Sequence, residues 1–445
     1  MERVCASAPG KVILFGEHAV VYGHAAVAAA LSDLRISVKI TSTTTTTTTT
    51  ATSGGNLHIV MPDLPTPIDL TLDSVSCCVA DLKEPPTKED ASRIQHILTN
   101  LDQGMDVMNV SALLPVVYLL NRLLAPALMM MRTRGLEIVV RSQDLPVGAG
   151  LGSSAAFGVA LTAALLRLSL LDNNNNNNTT TPLALGKPCQ EHLETINKYA
   201  YYSEILLHGT PSGIDNTVAT YGGAIDYQKA TPSRRSRSDK FDMPSLRMVL
   251  VHTRVPRSTK ELVAGVRRMH DNHPGVVGPM LQAMGGVAER FRQIIGASWK
   301  TVKGSDLLTL VRTNQHLLRA VGVSHPSLDR ICQIVQDQAP GMAEAKLTGA
   351  GGGGCAMIVL HPLSGPQIAN NLQRTLENKK HPWDYTCFTS TVGREGVLWI
   401  DPDLFPERKE PPPSWSDGLP RKLWIGGVIA AVASAAVVLL QPKKR

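Results

Sequence analysis

The sequence predicts a mixed α/β protein of the α+β kind, built as two lobes, and three observations carry that expectation. The chain has 445 residues, more than one ordinary hydrophobic core serves, so two domains are expected. Strand-like runs (Arg35 to Ile40 and Leu136 to Arg141 in the first half, Ala356 to Leu360 in the second) alternate with helical stretches. One helical run, Ala155 to Leu171, is apolar nearly all round, which suits a helix buried against a sheet. Helices layered on sheets follow.

Taken in order, residues 1–235 read as an N-terminal domain interrupted by two low-complexity tracts. The first lies within 41–52 and holds the threonine run Thr43 to Thr50; the second lies within 172–181 and holds Asn173 to Asn178 followed by threonines. Neither offers apolar surface to bury, so both are expected as solvated loop insertions. Ser233 to Lys240 is basic and polar without interleaved aromatics, which suits a solvated connector better than an RNA-binding patch, and the domain boundary is placed there. Residues 241–401 form the second domain, helical from Lys260 to Ala320. Residues 402–422 turn proline-rich and read as a linker, ahead of the uncharged apolar run Leu423 to Leu440.

Composition narrows the function classes. The chain is 43% hydrophobic and 18% charged, with only 4% aromatics, so its core must be aliphatic and alanine-rich. The formal charge of +7 invites a nucleic-acid reading. However, Arg421, Lys422, Lys443, Lys444 and Arg445 supply five of those charges in a tail without acids, leaving an ordinary body and no expected nucleic-acid partner. The seven cysteines are scattered without CxxC or His/Cys ligand spacing, and no secretory signal precedes them, so reduced thiols on a cytosol-facing body are expected. As a helix the run Leu423 to Leu440 spans about 27 Å, close to the hydrocarbon thickness of a bilayer, with basic residues at both ends. A C-terminal membrane anchor is the expectation; a soluble helix docked on the body is the alternative.

The chemistry concentrates in four segments. In Pro146-Val-Gly-Ala-Gly-Leu-Gly-Ser-Ser-Ala-Ala156, glycines alternate at Gly148, Gly150 and Gly152 after a predicted strand, and the loop opens directly into the apolar helix. Backbone free of Cβ bulk lets N–H groups converge on an anion, and a helix N-terminus adds unpaired N–H groups and a favourable dipole. Ser153 and Ser154 are placed to cap the helix, bind phosphate or ligate Mg²⁺. The spacing fits neither a Walker A loop nor the dinucleotide fingerprint. A second glycine run, Lys346-Leu-Thr-Gly-Ala-Gly-Gly-Gly-Gly-Cys355, has apolar flanks and suits close approach to a ligand or another backbone. The third segment, Ala8 to Gly23, holds Lys11, Glu17 and His18, which singly carry little information. In the fourth, Leu193, Ile196, Ala200, Glu204 and Leu207 share one helix face, so Glu204 sits within an apolar stripe and calls for a cation, metal or salt bridge. Gly209 and Pro211 end that helix, and the loop beyond presents Asp215 as a base or as the centre of an Asx-turn.

Together, the segments PGKVILFGEHAVVYG, LPVGAGLGSSAA, HGTPSGIDN, VPRSTKELVAGVR and KLTGAGGGGC resemble the galactokinase, homoserine kinase, mevalonate kinase and phosphomevalonate kinase superfamily, from Pro9 to Cys355. The mevalonate kinase branch is the nearest; Ala19-Val20-Val21 stands where galactokinases carry Thr-Asp-Tyr. The resemblance implies two lobes with the active site in the cleft between them, ATP with Mg²⁺, mevalonate as acceptor, and room for a homodimer. It implies that Gly148, Ala149, Gly150, Leu151, Gly152, Ser153 and Ser154 wrap the ATP phosphates, with Ser142 near the nucleotide. Ser154 and Glu204 would hold Mg²⁺, Asp215 would take the hydroxyl proton, and Lys11 would stabilise that oxygen and the γ-phosphate. Glu17, His18 and Thr259 would touch the acceptor or order the site. Asp63 stands where the family carries a nucleotide-binding asparagine, and the homopolymer tracts and the tail lie outside the family pattern. The competing readings are a kinase for phosphomevalonate, homoserine or a sugar, and a catalytically silent ligand sensor.

Overall fold

A mixed sheet runs through both halves of the chain and sets where every other element packs. The computed structural model describes residues 2–44, 55–61, 67–76, 82–101, 107–124, 134–146, 149–176, 183–231, 236–296, 304–378 and 382–407. Among these, the strands are β1 (Glu2–Phe15), β2 (Ala25–Thr44), β3 (Asn56–Val60), β4 (Ile68–Thr71), β5 (Arg134–Gln143), β6 (Ala224–Gln228), β7 (Arg237–Phe241), β8 (Leu246–His252), β9 (Ala343–Thr348), β10 (Cys355–Leu360), β11 (Thr386–Val392) and β12 (Leu398–Ile400). The helices are α1 (Leu72–Ser76), α2 (Lys88–Leu101), α3 (Val107–Leu123), α4 (Ser153–Asn176), α5 (Gln190–His208), α6 (Ile214–Tyr221), α7 (Thr259–Asn272), α8 (Pro274–Gly296), α9 (Gly304–Ala320), α10 (Pro326–Gln338) and α11 (Pro366–Leu376).

The main path of the sheet runs β4-β3-β5-β2-β11-β8-β10-β9. Strand β2 is its spine: β1 lies antiparallel along it, β6 pairs its first part, β5 its second, and Leu31 meets Val392 of β11. The expected strands at 35–40, 136–141 and 356–360 all lie within this sheet. Strand β10 is buried at every position, which explains its unbroken apolar sequence.

The two largest apolar clusters lie on this sheet, the first drawing on both halves of the chain and the second chiefly on the C-terminal half. In the first, α4 packs on β1 and β2. Val159, Leu161, Leu165 and Leu168 on α4 are wholly buried, each leucine contributing about 1.5–3 kcal/mol on transfer from water. At Gly158 an added Cβ would stand 2.2 Å from the Ser203 hydroxyl, so the missing side chain lets α5 cross α4 closely. In the second cluster, β8, β9 and β10 are covered by α7, α8, α10 and α11.

Three expectations are corrected. Strand β2 continues to Thr44 and α4 continues to Asn176, so each homopolymer tract begins inside an element. Thr43 and Thr44 extend the ladder with β5, which suits β-branched residues. Asparagines carry on the hydrogen bonds of a helix already nucleated, at a cost of only about 0.7 kcal/mol each; the remainder of both tracts lies outside the described residues. The basic connector is also partly structured: Arg237–Phe241 is strand β7, paired with β6. Arg237 contacts the buried carboxylate of Asp226, which Arg292 of α8 also meets at 2.5 Å. That partner cannot be seen from local charge.

Residues 402–404 form a short 3₁₀ turn at the start of the proline-rich segment, while 408–445, including the apolar tail, lie outside the described residues. Among the described residues one helix, Ser153–Asp172, is long and apolar enough to cross a membrane, and it is the buried core helix α4. Cys5, Cys189, Cys332, Cys355 and Cys387 are free thiols.

Candidate active site

The loop that leads into α4 is shaped by its glycines. Gly150 and Gly152 have φ of +81° and +73°, where a side chain would be strained. A Cβ on Gly152 would also stand 2.8 Å from Cγ of Lys11, so glycine there admits the lysine stem. The Lys11 amide donates to the Leu151 carbonyl at 2.8 Å, fixing the loop against β1. Ser142 donates to the Leu145 carbonyl at 2.9 Å and so shapes the turn before the loop. Among the described residues, the amides of Gly150, Leu151, Gly152 and Ser153 donate to no backbone acceptor. They stand at a helix N-terminus, as an anion-binding loop requires. Gly148 lies outside the described residues.

Lys11 and Asp215 meet directly. Their Nζ and Oδ1 atoms are 3.2 Å apart, with the lysine 10% and the aspartate 32% exposed, so the pair is reachable from solvent. Asp215 lies in the first turn of α6 rather than in a loop, which corrects the expectation and removes the Asx-turn alternative. Gly213, at φ +78°, allows the helix to start there, and the Ser212 hydroxyl accepts from the Ile214 amide at 3.3 Å.

Glu204 projects from α5 into the same region and is buried with Leu193, Ile196, Ala200 and Leu207, as the stripe required. One of its oxygens, Oε1, is buried without a hydrogen-bond partner. Its other oxygen is 3.7 Å from Nε2 of His208, and the same nitrogen lies 3.3 Å from the Ser154 hydroxyl. Burial, and then the nearby Asp215, push the Glu204 carboxyl up to about 8, against the opposing effects of Ser154 and Lys11. Burial lowers His208, so it does not offer Glu204 a dependable positive charge. An orphaned buried carboxylate oxygen beside a serine hydroxyl fits a hard divalent cation. Among the described residues no cluster of three His, Cys, Asp or Glu side chains is poised for a metal, so the other ligands of such a cation would come from phosphate and water.

Glu17 has no exposed side-chain surface with which to touch an acceptor. Its carboxylate is fully buried against Lys346 of β9, and Asn314 of α9 donates to it at 3.1 Å. Burial raises Glu17 and lowers Lys346, with their close contact opposing both shifts. The pair ties the turn after β1 to the C-terminal lobe. His18, at φ +59°, is buried beside it with Nε2 2.9 Å from the Ala350 carbonyl, holding the second glycine run to the same turn. Burial lowers its pKa and favours the neutral ring. Thr259 is the first, exposed residue of α7, whose N-terminus is capped by Ser258 accepting from the Glu261 amide at 3.3 Å.

Models of the GHMP kinases N terminal domain and the GHMP kinases C terminal domain match residues 116–223 and 288–378. The human protein named mevalonate kinase is 35% identical over 410 residues, 89% of this chain and 94% of that protein. The chain belongs to the mevalonate kinase family of GHMP kinases. The namesake from Thermococcus sibiricus is 33% identical over 375 residues, 83% of this chain and 93% of its own. Among solved structures, Methanococcus jannaschii mevalonate kinase aligns with a TM-score of 0.59 at 22% identity, covering 90% of this chain and 99% of that one. The L. major mevalonate kinase in complex with R-mevalonate aligns at 0.58 and 23%, covering 88% and 96%. The expected two-lobed kinase fold is therefore the fold of this family member.

Four residues of this GHMP kinase escaped the sequence reading: His208, Arg257, Asn314 and Lys346. His208, Arg257 and Lys346 lie inside segments already singled out, but an isolated histidine, arginine or lysine carries no signal of its partner. Arg257 donates from Nη2 to the Ala149 carbonyl at 2.9 Å and forms one wall of an open groove of about 490 Å³ with Leu262, Val266, Met269 and Val323. That groove does not include Lys11, Glu204 or Asp215, so side-chain chemistry rather than cavity size locates the reaction.

Proposed function

We propose that this chain transfers the γ-phosphoryl group of ATP to the primary hydroxyl of mevalonate, giving 5-phosphomevalonate for isoprenoid and sterol biosynthesis. The observation that carries the reading is the Lys11–Asp215 pair, 3.2 Å apart beside the glycine loop at the N-terminus of α4. Phosphoryl transfer asks little covalent work of a protein; it asks for in-line positioning and for charge against the phosphoryl oxygens. The loop amides and the start of α4 provide fixed donors for the phosphates. Asp215 accepts the proton of the attacking hydroxyl, and the Lys11 ammonium holds that carboxylate in place and opposes charge on the transferred group. Glu204 and Ser154 are the residues that would hold Mg²⁺, which when bound would neutralise phosphate charge. The acceptor's identity follows the relatives named mevalonate kinase, which match most of the chain at 33–35% identity.

Incubating the purified chain with ATP, Mg²⁺ and, separately, mevalonate, phosphomevalonate, homoserine and galactose tests this reading. Mevalonate-dependent ADP release with a phosphorylated product is expected. Turnover confined to another acceptor would reassign the substrate, and none with any acceptor would favour the ligand sensor.

The catalytic body is further proposed to face the cytosol, tethered by Leu423 to Leu440. Support comes from the sequence alone: an uncharged run flanked by Arg421, Lys422 and the terminal basic residues, after a proline-rich linker. Full-length protein should stay in the membrane fraction through a carbonate wash, and a form ending at Asp401 should not. Release of both forms would rule the tether out.

A further inference from the structure

We infer that Arg257, carried by the C-terminal lobe, binds the phosphate chain of the nucleotide held by the N-terminal lobe's glycine loop. The inference rests on reading this site as a kinase centre and names a residue within it. Arg257 follows β8 and precedes α7, yet its guanidinium lies against both glycine runs. Nη2 donates to the Ala149 carbonyl at 2.9 Å, and Nη1 points to the Gly351 carbonyl at 3.5 Å. A Cβ on Gly150 would stand 2.2 Å from Nη2, and one on Gly354 would stand 2.6 Å from Cζ. The same side chain therefore explains why both loops carry glycine at those positions.

Charge turns this contact into a binding argument. Arg237, Arg254, Arg292, Arg312 and Arg319 each pair with a carboxylate. Neither Arg257 nor the buried Arg35 pairs with a carboxylate among the described residues, but the Arg35 fork is filled by Ser7, Ser32 and Gly396. Arg257 has only the carbonyls of Ala149 and Gly351 there, and burial lowers its pKa. A guanidinium stays charged through such a shift, so a cation is held partly dehydrated without an anion from the protein. The groups beside it are the loop amides that lack backbone acceptors. A planar fork next to converging N–H groups is matched by phosphate oxygens, which accept bidentate, charge-assisted bonds. The carboxylate of the acceptor is the other anion available. The phosphate chain is favoured because Arg257 touches the loop at Ala149 and Gly150, directly before Gly152 admits Lys11 and α4 begins. An arginine bonded to both loops also makes nucleotide binding a contact between lobes.

The test measures ATP, ADP and adenosine affinity, by calorimetry without acceptor, for wild type, Arg257→Gln and Arg257→Lys. Steady-state KM for the acceptor is measured in parallel. Losing charge-assisted bonds should weaken ATP and ADP roughly 10- to 100-fold in Arg257→Gln. Adenosine affinity and acceptor KM should stay within about threefold, and Arg257→Lys should recover part of the loss. Unchanged ATP affinity with a raised acceptor KM would overturn the proposal in favour of the acceptor carboxylate. Equal weakening of ATP and adenosine with a lowered Tm would overturn it in favour of a structural bridge. Nucleotide affinity is read without acceptor, so a wrong acceptor assignment would leave this test intact and show only in the wild-type assay.

Discussion

Glu17 and Glu204 are both buried carboxylates close to a lysine of a glycine-bearing segment, and their surroundings differ. Glu17 has Lys346 on one oxygen and Asn314 on the other, and neither partner of the ion pair has any exposed side-chain surface. Glu204 has a neutral-leaning histidine on one oxygen and nothing on the other, while the nearby Lys11 is engaged by Asp215. A buried charge must be compensated, so a satisfied carboxylate reads as framework and an orphaned one as a seat for something the chain does not supply.

Breaking the satisfied pair should have the largest effect. Lys346→Met leaves Glu17 buried and uncompensated and should cost about 3–5 kcal/mol of stability, measured by chemical denaturation. The double variant Glu17→Gln/Lys346→Met should recover a substantial share of that loss. A single variant as stable as wild type would mean that the contact contributes little, and the contrast would fail on that side.

Asp215→Asn comes next. It should lower kcat by a factor of about 10² or more while nucleotide affinity is retained, because the general base is lost and the phosphate cradle is not touched. Steady-state kinetics with a nucleotide-binding titration checks both halves, and near-normal turnover would remove Asp215 from the base role.

The smallest effect sharpens the comparison through pH. In metal-free protein the Glu204 carboxyl stands near 8, above its ordinary 4.5. Between those values the native state binds a proton that the unfolded chain does not. Stability therefore falls as pH rises through that window. Glu204→Gln abolishes this slope, so its Tm should exceed that of wild type by about 2 °C or more at pH 8.5, with the difference vanishing near pH 5. A pH-independent difference would mean that the orphaned oxygen is compensated.

Much of this was legible in the sequence. The apolar run at 356–360 became β10 and the run from 155 became α4, because a segment buried on all sides shows that burial in its own composition. Glu204 was found the same way, as one charge in an apolar stripe. Glu17 serves the framework alternative, which local sequence does not show because its partner is 329 residues away, and no local pattern distinguishes a framework glutamate from a binding one. The sequence suggests a loop at Asp215 because Gly209, Pro211 and Gly213 before it signal a break. Helix α6 restarts at once behind Gly213. Arg237 looked solvated for the same reason that Arg257 looked ordinary: what each meets is set by the sheet, and the sheet joins distant segments.

The contrast is tested most directly by Mn²⁺ binding, followed by electron paramagnetic resonance in the presence of ADP, for wild type, Glu204→Gln and Glu17→Gln. Each protein is held below its own unfolding temperature. Replacing a carboxylate ligand by an amide should weaken Mn²⁺ binding to the Glu204→Gln complex by about tenfold or more, while folded Glu17→Gln binds as wild type does. Undiminished Mn²⁺ affinity in Glu204→Gln, or an equal loss in Glu17→Gln, would contradict the account.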